Sequence, residues 1–436
     1  GNVDFPWKSF KENVNVSLSG SFFLKVDTFV PGLSASESWN WPTVELYPDL
    51  GKVPSKSVNL KYSAIKPPSN KEIVKSLKAE KAITEDASSA VYENAKPNMV
   101  LMDDGNYLVT YLDEVKVGDK YQAKLVYRIG DGVTWSDPII VNSNTVFDTA
   151  AKLVKHNGKY YLIYTGGKSA INVEQGIDEI AGSLDLYIST LENGSIMTSQ
   201  VIGESGKFKY DYDLVVNNDT VTAVWAENDA NDILLEKGGT VVYNSTLSDT
   251  KWGDVVKLFS SPDAIETISA GVFDNKVSVA YIYDDRLFVN GNKKTTGLSE
   301  ILDGAKIFDG KVYLRNGGVL YSYDGSKSSS TNVSCGVDYQ VHGSNVYWIQ
   351  QQNFKSEIYG QKIGSDMPIP ITNDDSYIGS LCIADNGTNN SIVYTSQMVD
   401  DGADDDPYGV TLLKYKDTLS RFQADVANIA YDILEY

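Results

Sequence analysis

The chain has 436 residues, 42% of them hydrophobic, and carries 38 basic against 58 acidic side chains for a net charge of −20. A surface of that sign repels nucleic acid and anionic lipid, and no Lys/Arg-rich cluster offsets it. No apolar run of about 18 residues is present, so no membrane insertion is expected; the composition is that of a soluble globular protein, and a secreted or cell-surface monomer is expected.

Residues 1–80 form the least regular part. Val14 to Val26 and Ser57 to Ile65 read as strands, with a loop-rich stretch holding Trp39 and Trp41 between them. Lys71 to Lys81 reads as one or two helical turns or a polar connector. From about Ala82 a single unit recurs: an apolar strand, a Gly/Asn/Asp turn, then a strand alternating aromatic and aliphatic residues. Seven copies begin at Pro97, Ala151, Asp213, Ser269, Ala305, Tyr339 and Ser380. The clearest is the hairpin around Asn157-Gly158, a dipeptide that accepts the positive φ angles of a two-residue turn.

Further strands follow each hairpin, such as Tyr121 to Ile129 and Pro138 to Val141 in the first unit. Four antiparallel strands per repeat without helices define an all-β chain and a β-propeller of seven blades over 81–417. Within a blade, Tyr160, Leu162 and Tyr164 are expected to pack against its neighbours. Lys81 to Glu85 has the layout of an outermost strand whose partners lie at the C-terminal end, so the ring is expected to close there. Because Ser57 to Ile65 resembles a third strand, an eighth, partial blade is the alternative. Residues 418–436 read as a tail or as the opening strand of a β-sandwich module resembling those strung along bacterial surface proteins. The natural protein is expected to continue past Tyr436.

The stretch Arg128 to Pro138, RIGDGVTWSDP, resembles the Asp-box turn of sialidase-like propellers, and Asn244 to Asp254 is a weaker echo. It lacks the leading Ser or Thr of that pattern. The resemblance implies a structural turn, with Asp131 accepting amide hydrogen bonds and Trp135 covering a neighbouring strand. Sialidase chemistry implies three arginines around a substrate carboxylate. This chain has Arg128, Arg286, Arg315 and Arg421, and only Arg286 and Arg315 fall within the repeats away from that turn.

The links entering each first strand carry acids: Glu93, Asp148, Asp211, Glu266, Asp303 and Asp338. They are expected near the mouth of the central channel, either capping backbone amides or binding a cation or polar ligand; an enzyme would use them as general acid and base. Asp400, Asp401, Asp404, Asp405 and Asp406 crowd one loop and offer oxygen ligands to calcium, without EF-hand spacing. Beyond that, no cofactor is implied. Cys335 and Cys382 fall in apolar strand-like runs and are expected as buried thiols rather than a disulfide. Function is expected to be non-catalytic recognition of a glycan or protein, with Trp39, Trp41, Asp148, Asp211 and Glu266 as ligand-binding candidates. The alternatives are a glycoside hydrolase and a structural spacer.

Overall fold

A computed structural model describes residues 95–117, 120–169, 181–248, 250–298, 301–336, 338–352, 355–372, 376–385, 390–399 and 408–417, together with four strands ahead of them. Three of those strands, Val14–Leu18, Phe22–Val26 and Ala35–Trp39, form an antiparallel sheet of their own. Trp39 therefore ends a strand rather than lying in a loop. ASESW carries no run of apolar residues, which is why the strand does not stand out in the sequence. The Ser57 to Ile65 and Lys71 to Lys81 readings lie outside the described residues, as does 418–436.

The rest is seven antiparallel blades in a ring. Their innermost strands are Asn98–Leu101, Lys152–His156, Lys209–Asn217, Ser269–Phe273, Leu302–Phe308, Tyr339–His342 and Leu381–Asp385. Two-residue turns at positive φ join several inner pairs, with Asn157 at 49° and Gly158 at 72°, and Asp274 at 52° and Asn275 at 57°. Such turns match the right-handed twist of the flanking strands. The seventh blade takes its outermost strand from Lys81–Ala82, which pairs with Tyr408–Asp417 through Lys414↔Ala82 and Tyr415↔Lys81. The ring is thus closed by the N-terminal side, with seven blades and not eight.

Side chains alternate between the two faces of each blade, so each blade feeds two seams. Tyr160, Leu162 and Tyr164 enter the core shared with the first blade, while Tyr161 and Ile163 enter the core shared with the third. Successive seams hold separate apolar clusters around the ring, for example Val224, Ala226 and Val279 between the third and fourth blades. Both cysteines are free.

Because each blade is an antiparallel meander, the first and third turns lie on one face of the ring. The second turn and the link to the next blade lie on the other, at the end where the innermost strand begins. On this second face the blades differ sharply. Asp284–Asp285 and Gly317–Gly318 close the second turns of the fourth and fifth blades, whereas the third blade inserts 229–239 and the described part of the second blade's connection includes 168–169 and 181–183.

Candidate functional site

One position of the innermost strand is Asn98, Lys152, Asp213, Ser269, Lys306, Gln340 and Cys382 in the seven blades. Six of these reach the backbone of the next blade beside its own equivalent residue. Asn98 Nδ2 donates to Ala151 O at 2.6 Å, Lys306 Nζ to Tyr339 O at 2.6 Å, and Gln340 Nε2 to Leu381 O at 2.7 Å. Ser269 Oγ accepts from Ile307 N at 3.0 Å and Asp213 Oδ2 from Ala270 N at 3.2 Å. The Met99 N–H meets the Cys382 thiol, closing the ring between the seventh and first blades. Among the described residues Lys152 alone makes no such bond. That seam is tied instead by Tyr212, whose hydroxyl donates to Ala150 O at 2.5 Å.

These side chains line the central channel. Lys152 is exposed to solvent, yet it is crowded by the surrounding strands, so its hydration is incomplete. That loss lowers its affinity for a proton, and the attraction of Asp213 and Asp211 more than offsets it, leaving the ammonium held above its ordinary value. Across the channel the Lys306 amine is pushed down to about 8, by lost hydration first, with Lys152 and Arg315 adding repulsion and Asp338 opposing. A bulge between Lys209 and Asp211 precedes the two acids of the third blade. Asp211 Oδ2 accepts from Ile268 N at 2.8 Å and Oδ1 from Tyr212 N at 2.9 Å. Burial raises its pKa to about 6, with Lys152 opposing and Asp213 reinforcing the rise.

The acids of the links are not gathered into one cluster. Asp148 is fully buried, not at the channel mouth. The short strand Phe147–Asp148 folds back onto Gly166 and Gly167, and the carboxylate meets Lys124 Nζ at 3.0 Å and accepts from Leu125 N at 3.0 Å. Lys124 also donates to Asn142 O at 2.8 Å and Thr145 Oγ1 at 2.6 Å. Desolvation still raises the Asp148 pKa against the pull of Lys124. Glu266 and Asp338 are exposed, and Asp303 pairs with Arg315 at 3.3 Å. Of the described link acids, only Asp211 stands in the channel with a second carboxylate, Asp213, two residues along the same strand. Glu93, Trp41 and Asp400 to Asp406 lie outside the described residues, as does the Trp39 side chain. Among the described residues no group of three or more His, Cys, Asp or Glu is placed to hold a metal ion.

A second feature stands on the long-loop face. Ala123, Phe147, Ala181, Leu184 and Phe208 form a small apolar core, with Tyr210, Ile233 and Leu235 packed on it. It joins the first three blades. Gly167 belongs to it by necessity, since a Cβ there would meet the Phe147 ring at 2.2 Å. Beneath the loops, Lys209 lies 3.9 Å from Glu227 and donates to Lys207 O at 3.1 Å, while Glu227 accepts from Trp225 Nε1 at 2.9 Å. The loop 229–239 is braced from within: Asp232 accepts from the amides of Leu234, Glu236 and Lys237 at 3.1, 2.8 and 2.7 Å. Leu235 holds φ at 54°, a strained value for a leucine. Its outermost groups, Glu236 and Lys237, are exposed.

The Trp-bearing turns are structural. Asp131 Oδ1 accepts from Val133 N at 2.8 Å and Thr134 N at 2.7 Å, and Trp135 meets Tyr415 of the seventh blade edge-on at 5.9 Å. Trp252 of the third blade likewise meets Tyr161 of the second at 6.4 Å. A shallow cleft of about 330 Å³ beside Asn106, Asp131 and Trp135 opens on the short-turn face and holds no pair of facing carboxylates. Arg128 is committed to Tyr111 Oη at 2.8 Å, Arg315 to Asp303, and Arg286 lies exposed at a turn, so the described arginines do not converge.

The molecule is thus a seven-bladed β-propeller. No protein-family model matches the chain, and no curated protein does. Among solved structures it is similar to the Trypanosoma rangeli sialidase in complex with the inhibitor DANA, at 10% identity over 81% of this chain and 62% of that chain, with a TM-score of 0.44. It is also similar to the polysaccharide lyase Uly1, at 8% identity over 78% of this chain and 99% of that one, TM-score 0.46. A third is the Penicillium chrysogenum α-L-arabinanase complexed with arabinobiose, at 11% identity over 78% and 98%, TM-score 0.41. The chain spans less than two thirds of the sialidase's length.

Proposed function

We propose that this propeller is a non-catalytic extracellular binding module, secreted or displayed at a cell surface, that recognises a glycan or a protein on the face carrying the loops of the second and third blades. One observation carries the reading: Asp148, Asp211 and Asp213 are committed to the fold. Asp148 is sealed against Lys124, and Asp211 and Asp213 grip backbone amides of the fourth blade. A glycosidase needs an acid and a base on opposite sides of a bound sugar, whereas these two share one strand. The loops meanwhile rest on a core of their own, which suits a preorganised binding surface.

The test is a paired one on the whole chain. A glycan array and a panel of candidate surface proteins should give a saturable signal, while aryl glycosides and polysaccharides incubated with the protein stay intact. Turnover that Asp211→Asn abolishes would replace this reading with a hydrolase. Silence in both binding formats would leave a spacer as the better account.

A further inference from the structure

The seam between the third and fourth blades differs from every other described one. Its clasps are carboxylates, where the others use an amide, a hydroxyl, an ammonium or a thiol. Asp211 and Asp213 lie two residues apart, so they share a face of one strand, and each receives an amide of the fourth blade, Ile268 N and Ala270 N. One ammonium, Lys152 of the second blade, serves both. The cluster therefore carries one uncompensated negative charge inside a channel walled by protein.

We propose that Asp211, Asp213 and Lys152 form a proton-operated clasp at the seam of the third and fourth blades, which takes one proton from solvent on acidification and thereby stabilises the fold. The step moves a single proton onto the carboxylate pair and brings the cluster from one net negative charge to none. Either carboxylate keeps a carbonyl oxygen to accept its amide when protonated, so the grip survives. The proton belongs to the pair rather than to one residue.

The other groups facing the pair do not supply that charge. On the same strand, Tyr210 donates to Ile265 O at 2.7 Å and Tyr212 to Ala150 O. The fourth blade presents Ser269 and its backbone, with Glu266 exposed in the link. Lys306 of the fifth blade stands across the channel, tied to Tyr339 O with Asp338 and Arg315 near it, and Cys382 of the seventh blade lies beside Lys152. The sign follows. Asp211 sits near 6 in the fold, against roughly 3.9 for an unfolded aspartate. The native state thus binds the proton more tightly, and this group adds stability as pH falls from above 6 towards 4.

Urea unfolding of the full chain between about pH 8 and about pH 5 tests the proposal, with wild type, Asp211→Asn and Lys152→Met compared. Asp211→Asn carries a constant cost, because its amide nitrogen cannot accept one of the two backbone amides that Asp211 holds. Its unfolding constant relative to wild type should nevertheless be smaller at the alkaline end than at the acid end, by on the order of tenfold after allowance for solvent in the channel. Lys152→Met leaves the repulsion unrelieved and should move the wild-type pH response to higher pH. Parallel profiles for wild type and Asp211→Asn would overturn the clasp. Should Asp211→Asn not fold, a Lys152→Met response that superimposes on wild type, or moves to lower pH, overturns it as well.

Discussion

The first three blades and the fourth and fifth solve the same problem with different amounts of chain. All hold the ring through their innermost strands and bury an apolar layer at each seam. In the fourth and fifth blades the second turns are Asp284–Asp285 and Gly317–Gly318, and among the described residues these turns carry no insertion. Around the second and third, and in the link that enters the second, added chain is held by a core, a sealed ion pair and an internally braced loop. Ring closure does not require any of this. The extra structure on one side is what the proposed binding role would use, since loops carry function on a rigid scaffold.

The comparison can be tested from its strongest joint downward. Lys124→Met should have the largest effect, because it leaves Asp148 buried without its cation, at about 3–5 kcal/mol. Urea unfolding would show it, and a loss below about 1 kcal/mol would mean that the loops stand without the pair. Next comes Gly167→Ala, which forces a methyl into the Phe147 ring. About 1–3 kcal/mol is expected, together with faster amide exchange in 145–149 if the loop core is displaced.

On the plainer side, Asp284→Ala tests a turn and little else. The residue holds φ at 47°, so a cost of about 1 kcal/mol is expected, without change elsewhere in an exchange map. The smallest effect should come from Lys159→Ala, which removes a half-exposed pair with Glu192 at 3.4 Å. A change under about 1 kcal/mol, erased by salt, is the expected reading of its unfolding curve.

Much of this architecture is legible in the sequence. The Asn157-Gly158 hairpin and its six relatives announce the blades, and Lys81 to Glu85 announces the closure, because turn chemistry and period-two alternation are local properties. The clasps were within reach too. Shortly ahead of its first turn each copy, from Asn98 to Cys382, carries a side chain able to donate or accept a hydrogen bond. Its role was hidden because the partner is a backbone atom of another blade. Asp148 could not be placed from its link alone. Its position depends on Lys124, a strand away, and on two glycines that let Phe147 and Asp148 fold back over the second blade. The acids that do stand in the channel, Asp211 and Asp213, look in the sequence like any others of their kind.

The central proposal is that binding resides on the loops of the second and third blades. Its most direct test is a glycan and protein array probed with wild type, a Leu234→Ser/Glu236→Ala/Lys237→Ala variant of the third-blade loop, and an Asp284→Ser/Asp285→Gly variant of the fourth-blade turn. The loop variant should keep the wild-type unfolding curve and lose its array signal, while the turn variant keeps the signal. Loss confined to the turn variant, or full binding by both, would contradict the account.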